Sequence, residues 1–302
     1  MSMNSSPTFQ NALPGIPKKV FVTGGTGFIG SHLLKQFSGT AHEVLALRRE
    51  NARPRIAIGH EPQWLEKPLD QIDAQDLNGV DVLIHLASVG VSPVQATWQE
   101  LFYWNVSVFV RLMEQAKLAG VKRLVVAGTF AEYGRSADQY EFIPPDAPLL
   151  PTYPYAASKA AAFVAAHAFA IDRGLELCYL RIFSAYGEGQ FIGNFWPSLK
   201  EAAQSGADFK MTLGEQIRDY MPVEDVVKLL ISASELKEIP HQILVENVGT
   251  GAPVTMRAFA EYWWNYWHAE GRLLIGALPY RANEIMRFVP KITTDTANYK
   301  NG

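Results

Sequence analysis

Along the whole chain, apolar runs of strand length alternate with stretches of helical spacing. KVFVTGG (19–25), HEVLALRR (42–49), DVLIHLAS (81–88) and RLVVAGT (123–129) are almost continuously apolar. Parallel strands buried on both faces read this way, whereas half-exposed strands alternate with polar residues. Between the runs, FIGSHLLKQF (28–37) and LFYWNVSVFVRLMEQAKLAG (101–120) carry helical periodicity. The alternation predicts an α/β fold, a doubly wound parallel sheet with helices on both faces.

The second half continues less regularly. PYAASKAAAFVAAHAFAI (154–171) is an Ala-rich helix, LELCYLRIF (175–183) a strand, NFWPSLKEAAQSG (194–206) and VEDVVKLLISASEL (223–236) helices, and ILVENVG (243–249) a strand. The irregular segments near 187–222 and 271–302 are too short for a core of their own, so they are expected to form a cap on the sheet. The expected organisation is a polar arm over 1–17, a dinucleotide-binding domain over 18–186 with returns near 220–250, and a small C-terminal substrate-binding cap mainly within 187–302.

Composition narrows the function. A chain of 302 residues, 48% hydrophobic and 19% charged, suits one large α/β domain with a small appendage. Its net charge of −3 and lack of a basic block argue against nucleic acid as a partner. The single Cys178 cannot form an internal disulfide and reads as a buried thiol in a reducing compartment. The N-terminal stretch lacks the basic start and apolar core of a secretory signal. No run of about twenty apolar residues is present, so no membrane span is expected. The expected location is the cytoplasm.

The first strand runs into TGGTGFIG, which spaces Gly24, Gly27 and Gly30 three apart and places Phe28 and Ile29 in the opening turn of a helix. Such glycines permit a tight turn, close backbone approach to a pyrophosphate, and close helix–strand packing; the helix N-terminus offers free N–H groups. Gly spacing alone would fit a turn without a ligand; the strand before it and the apolar helix after it point to a dinucleotide in a Rossmann-type fold. At the end of the second strand, Arg48 stands where a carboxylate would bind the 2′-hydroxyl of NAD. A guanidinium there suits a 2′-phosphate, so NADP(H) is expected over NAD(H); the other reading is a solvated Arg48 and NAD.

GTFAEYG (128–134) follows the apolar run RLVVA with a hydroxyl, a carboxylate and a phenol. Further on, Tyr155 and Lys159 form a Y-x-x-x-K pair on one helix face, one turn apart. An ammonium so placed is expected to favour the phenolate and make the phenol a better proton donor near neutrality.

TGGTGFIG, HLA (85–87), a Thr before EYG, YAASK, RIFSAYGEGQ (181–190) and RDYMPVEDV (218–226) occur in this order. Over about residues 18–290 the chain resembles the extended short-chain dehydrogenases/reductases of the nucleotide-sugar epimerase/dehydratase group. The resemblance implies that Thr129, Tyr155 and Lys159 form the catalytic triad, with Lys159 also gripping the nicotinamide ribose, and that Tyr133 is structural. It places Leu86 and Ala87 beside the coenzyme and gives His85 no catalytic role. Asn105 is either a support for the active-site backbone or a packing residue.

The family's 4,6-dehydratases carry an Asp-Glu pair just after the triad Thr; here Phe130 and Ala131 stand there, which disfavours dehydration. Glu132, one step on, is expected to point elsewhere. The G-T-x-x-E-Y-G form and LPYRANEIMR (278–287) resemble the 4-ketoreductases of deoxysugar pathways. The implied reaction is NADPH-dependent reduction of the C4 ketone of a CDP- or dTDP-linked 4-keto-6-deoxyhexose. The alternatives are an NAD-dependent nucleotide-sugar 4-epimerase and a non-catalytic NADP(H)-sensing module; Tyr155 and Lys159 speak against the latter.

For the substrate's diphosphate the resemblance offers Asn194, Arg218 and Arg281. Ser184 stands where many relatives carry a phosphate-binding Asn, and the chain stops soon after Tyr299 without the usual closing LGW segment. In EYWWNYWH (261–268), packing is favoured over ligand stacking: Thr255 is expected to cap a helix whose Phe259, Tyr262, Trp263, Tyr266 and Trp267 face the core. Relatives pair the helices near 98–119 and 154–172 across a twofold axis, so a homodimer is expected, the Ala-rich helix face allowing close approach.

Overall fold

Successive residues of a strand point to opposite faces, so an uninterrupted apolar run needs cover on both sides. The computed structural model, which describes residues 18–91 and 96–292, shows how that cover is supplied. The expected arm over 1–17 and the segment around Tyr299 lie outside the described residues.

The chain opens with β1 (Lys19–Thr23), α1 (Phe28–Phe37), β2 (Glu43–Arg48), β3 (Gln63–Glu66) and β4 (Val82–His85). Next come α2 (Trp98–Phe102), a π-helical turn (Tyr103–Val108) and α3 (Phe109–Leu118), then β5 (Arg123–Thr129), α4 (Pro154–Arg173) and β6 (Glu176–Ile182). The remainder holds β7 (Ser184–Tyr186), α5 (Phe195–Ser205), β8 (Phe209–Met211), β9 (Ile217–Arg218) and β10 (Tyr220–Pro222). It ends with α6 (Val223–Glu235), β11 (Ile243–Val248), β12 (Val254–Thr255), α7 (Met256–Tyr266), β13 (Leu273–Ile275) and β14 (Arg287–Phe288).

Seven strands form one parallel sheet in the order β11-β6-β5-β4-β1-β2-β3. The strand order reverses beside β1, which leaves a crevice at the carboxyl ends of β1 and β4. Val20, Val22, Ile84, Val125, Cys178 and Leu180 meet α1 and α6 on one face. Phe21, Leu83, Leu124, Val126, Leu177 and Tyr179 meet α3 and α4 on the other. The buried Cys178 thiol, its pKa pushed up to about 12 by burial, is an unreactive core group.

The expected elements recur with near-identical bounds, and the differences have local causes. Edge strand β3 is only half-buried and lacks a long apolar run. The helix expected over 101–120 is interrupted by the π-helical turn that carries Asn105. On α4, Ala162, Ala166 and Ala170 pack against the sheet, so the small residues serve that contact. The outward apolar residues are instead Val164 and Ile171, together with Trp98, Phe102 and Tyr103.

In the cap, α5 and α7 share a small core of Leu199, Ala203, Met211, Ala260 and Trp264. The short strands pair across long sequence gaps: β13 with β8, and β12 and β14 with β9. Thr255 does cap α7, accepting from the Ala258 N–H at 3.1 Å. Phe259 is buried and Trp263 and Trp267 pack beside it, but Tyr262 and Tyr266 are 51% and 62% exposed. Those two residues lie one turn apart on the opposite face of the helix, while Trp264 takes a core place. Among the described residues no helix is long and apolar enough to cross a membrane.

Leu83, fully buried in β4, tests the two-sided core. Leu83→Ala is expected to lose about 2–5 kcal/mol of unfolding free energy, read as a lower urea midpoint at unchanged slope. A loss well under about 1 kcal/mol would contradict the packing described.

Candidate active site

Gly24 leaves β1 at φ +74, and a Cβ there would lie 2.7 Å from the Ala87 nitrogen and the Leu86 carbonyl carbon. A Cβ on Gly30 would come within 2.1 Å of the Gly24 oxygen. The loop therefore presses against the end of β4 and its own helix at once, which glycine alone permits. The Gly27 N–H donates to the Gly24 oxygen at 2.9 Å, and Gly27 opens α1 without a side-chain cap. Phe28, Ile29 and Gly30 make the first turn, whose N–H groups have no intrahelical acceptor. A cradle closed to side chains below an uncapped helix start suits a dinucleotide pyrophosphate.

The floor beside it is neutral. His85 Nδ1 lies 2.8 Å from Thr23 Oγ1, and the ring stacks on Phe109 at 4.4 Å. Burial, with the nearby Lys159 charge, lowers the His85 pKa to about 3, so this imidazole is an uncharged wall. Arg48, at the end of β2, is already engaged: its Nε donates to Glu66 Oε1 at 2.8 Å, and its guanidinium lies 4.8 Å from the Trp64 ring centre. Glu66 sits on β3, the edge strand that the apolar pattern does not reveal.

β5 ends at Thr129, where the chain turns into a short 3₁₀ segment, Phe130–Tyr133. The Thr129 hydroxyl accepts from the Ala131 N–H at 3.3 Å. Phe130 packs on Phe183 and Phe288, and Ala131 is buried, so neither position offers an acid. Glu132 turns beneath the strand. It accepts from the Thr129 N–H at 2.8 Å, the Tyr179 hydroxyl at 2.9 Å and Arg181 Nε at 2.8 Å. Tyr133 is fully buried and its hydroxyl donates to Asn247 Oδ1 at 2.6 Å, a structural tie.

α4 brings Tyr155 and Lys159 over β5. The buried Lys159 ammonium donates to the Ala127 carbonyl at 2.8 Å. Burial lowers its pKa, opposed by the charge of Glu132. The Tyr155 phenol departs from expectation: its pKa is raised, chiefly by burial and also by Tyr153 and Glu132, with only the Ser88 hydroxyl opposing. One of the ammonium's three donors goes to a backbone carbonyl, and desolvation rather than the ammonium governs the phenol and holds it protonated.

Asn105 is a support. Its Oδ1 accepts from the Val89 N–H at 2.9 Å and the Ser88 hydroxyl at 3.3 Å; its Nδ2 donates to the Val89 carbonyl and to Ser158 Oγ, both at 3.0 Å. Ser158 in turn donates to the Tyr155 carbonyl at 2.8 Å, so one amide ties the loop after β4 to the turn of α4 that carries the phenol. The apolar stretch around Asn105 signals such a role, since a buried amide there must find partners.

The cap supplies the remaining residues. Arg218 donates to Glu284 Oε1 at 2.9 Å and to the carbonyls of Ile285 and Ile217 at 2.8 and 2.9 Å. Arg281 is exposed on the same segment as Glu284, and its charge acts on Tyr153, whose ring stacks with Tyr155 at 6.4 Å. Asn194 starts α5 without a side-chain cap bond. Ser184 is half-buried on β7, its N–H donating to the Asp219 carbonyl at 3.1 Å. Asp219 of the R-D pair is itself structural: fully buried, it accepts from the N–H groups of Thr250 and Ala252. Among the described residues no cluster of three or more His, Cys, Asp or Glu could hold a metal.

A seven-stranded parallel sheet with a glycine-lined loop where its strand order reverses defines a Rossmann-type fold, the fold of nicotinamide-dependent enzymes. Residues 20–249 match the NAD dependent epimerase/dehydratase family, and the chain belongs to it. Over 274 residues it is 25% identical to the CDP-abequose synthase of Salmonella muenchen, covering 90% of this chain and 88% of that protein. The solved UDP-N-acetylglucosamine 4-epimerase of Methanobrevibacter ruminantium M1, in complex with UDP-N-acetylmuramic acid, superposes with TM-score 0.84 at 23% identity, covering 95% of this chain and 93% of that one. MoeE5 in complex with UDP-glucose and NAD superposes with TM-score 0.79 at 28% identity, covering 92% and 91% of the two chains.

Gly24→Ala puts a Cβ against backbone at positive φ. It is expected to weaken NADH and NADPH binding about tenfold or more while the protein stays folded, as read by nicotinamide fluorescence titration. Unchanged affinity would show that the crevice does not hold the coenzyme.

Proposed function

We propose that the protein reduces the C4 ketone of a nucleotide-linked 4-keto-6-deoxyhexose, CDP- or dTDP-linked, using NADPH. The observation that carries the reading is the occupancy of the strand end: Thr129, the helix α4 that carries Tyr155 packed on the segment after it, and Phe130 and Ala131 where a dehydratase needs its acid pair. Without an acid there, proton exchange at C5 and C6 is unsupported, which leaves chemistry at C4. Likeness to CDP-abequose synthase over nine-tenths of the chain supports reduction.

When bound, the reduced coenzyme supplies the hydride for C4. Tyr155 gives its proton to the developing alkoxide, and its raised pKa keeps the phenol protonated at neutral pH, the state this step requires. Thr129 accepts from the Ala131 N–H, so its own O–H proton is free to donate to the C4 oxygen. Lys159, anchored on Ala127, keeps further N–H donors for the nicotinamide ribose. Gly24, Gly27, Phe28, Ile29 and Gly30 cradle the pyrophosphate, with Leu86 and Ala87 as the opposite wall.

Arg48 favours NADPH, sharing its guanidinium between Glu66 and the 2′-phosphate, with exposed Arg49 beside it. Arg218, Arg281 and Asn194 take the diphosphate. The outward apolar residues of α2, the π-helical turn and α4, among them Trp98, Phe102, Val164 and Ile171, support pairing of two copies into a homodimer. A second reading, 4-epimerisation with retained NAD, draws support from the family as a whole.

One assay separates these readings: incubate the protein with NADPH or NADH and CDP-, dTDP-, GDP- or UDP-linked 4-keto-6-deoxy sugars, and follow the reduced-nicotinamide absorbance. Stoichiometric loss of NADPH is expected with a CDP- or dTDP-linked 4-keto sugar; no loss there, together with interconversion of C4-hydroxyl nucleotide sugars by the protein with NAD, would establish the epimerase instead. Tyr155→Phe should bind NADPH normally and lose about 10²–10⁴-fold in kcat. Retained turnover would remove Tyr155 from the mechanism.

A further inference from the structure

We infer that Glu132 is a positioning residue for proton transfer: its buried carboxylate fixes Thr129 at the strand end and, through the Tyr179 hydroxyl, is tied to the turn of α4 that carries Lys159. The inference rests on the proposed roles of Tyr155 and Lys159 but not on the direction of hydride transfer. Both Glu132 and Arg181 are sealed from solvent, at 0% and 1% side-chain exposure. The carboxylate gathers three elements: the β5 end through the Thr129 N–H, β6 through Arg181 and Tyr179, and α4 through the Tyr179 hydroxyl, which also lies 3.3 Å from the Lys159 carbonyl. Gly128 makes this possible, since a Cβ there would sit 2.9 Å from Glu132 Oε1 and 2.3 Å from the Tyr179 ring.

A purely structural plug would not need a charge. A buried ion pair is costly to desolvate, and apolar residues of similar volume usually serve stability as well or better. The charge balance shows what the carboxylate adds. Arg181 donates to it and also to the Pro145 carbonyl at 2.8 Å, with the Phe163, Tyr133 and Tyr179 rings around the guanidinium. Lys159 is a second buried cation, 5% exposed, whose bonded partner is an uncharged carbonyl. The carboxylate whose charge reaches that ammonium is Glu132; His85, the other titratable group beside it, is neutral.

Glu132 also acts on Tyr155, which is faced in addition by Ser88 and Tyr153, with Arg281 beyond Tyr153. Removing the carboxylate's charge therefore lowers the proton affinity of both Lys159 and Tyr155. A reduction needs both protonated, so its alkaline limb moves to lower pH. For the reverse step, with the phenolate as base, the acid limb moves the same way.

Glu132→Gln keeps the acceptor oxygen and removes the charge. Its kcat–pH profile is expected to shift to lower pH by about one unit or more, with kcat at neutral pH reduced and NADPH affinity unchanged. Tyr179→Phe, which keeps the charge and loses one hydrogen bond, should retain the wild-type profile. If Glu132→Gln leaves Arg181 too poorly matched to fold, Glu132→Gln with Arg181→Met removes both charges and should shift the profile in the same direction by a smaller amount, because the opposing guanidinium charge goes too. In the protein without coenzyme, NMR of Nζ-labelled lysine, assigned with Lys159→Met, should show Lys159 losing its proton at lower pH once Glu132 is neutral.

A folded variant with the wild-type profile and an unmoved Lys159 would overturn the inference. So would failure of both variants to fold, which would reduce Glu132 to a stability element. Turnover retained by Tyr155→Phe would instead remove the proton-transfer reading on which it stands.

Discussion

A carboxylate and a guanidinium shut away from water can persist only if each satisfies the other and the remaining donors and acceptors are filled. Glu132 and Arg181 meet that condition with a strand-end N–H, a tyrosine hydroxyl, a proline carbonyl and three aromatic rings. Deleting one partner of such a pair typically costs about 3–5 kcal/mol, because the other charge is left buried and uncompensated. The candidate residues Thr129, Tyr155 and Lys159 are arranged about the end of β5. Thr129 is its last residue, Ala127 two residues earlier holds Lys159, and α4 lies across it with Tyr155.

The same burial sets the chemistry of the site. Desolvation raises the phenol and lowers the amine, so with no ligand the pair is a firmly protonated acid beside a reluctant cation. Asn105 and Ser158 hold the phenol-bearing turn to the loop after β4, and the π-helical turn puts that amide in place. Arg48 and Arg218 are each held by a carboxylate, Glu66 and Glu284, so their charges are oriented before any ligand arrives.

Much of this is legible in the residues. The sheet's central strands are apolar without interruption because both faces are covered, and β5 is bounded as RLVVAGT read in isolation. TGGTGFIG needs its glycines for contacts that the structure measures in tenths of an ångström. What escapes the sequence is pairing at long range. β3 and the two- and three-residue strands of the cap form only because distant segments lie beside them, so no local period announces them. With β3 hidden, Arg48 looks like a free guanidinium; with β3 present, it shares a carboxylate. A lone Arg in LELCYLRIF and a Glu in GTFAEYG each hint at a buried charge, but only the parallel register of β5 against β6 makes them partners. The exposure of Tyr262 and Tyr266 is likewise a matter of which side of α7 the cap occupies.

The central claim, that Thr129 and Tyr155 share one substrate oxygen at this strand end, is most directly tested by a crystal structure with NADP and a nucleotide-linked 6-deoxyhexose bound. The account predicts the C4 oxygen within about 3 Å of both the Tyr155 hydroxyl and Thr129 Oγ1, with C4 facing the nicotinamide ring. A phenol turned away from the dinucleotide, with no room for a hexose between them, would contradict it.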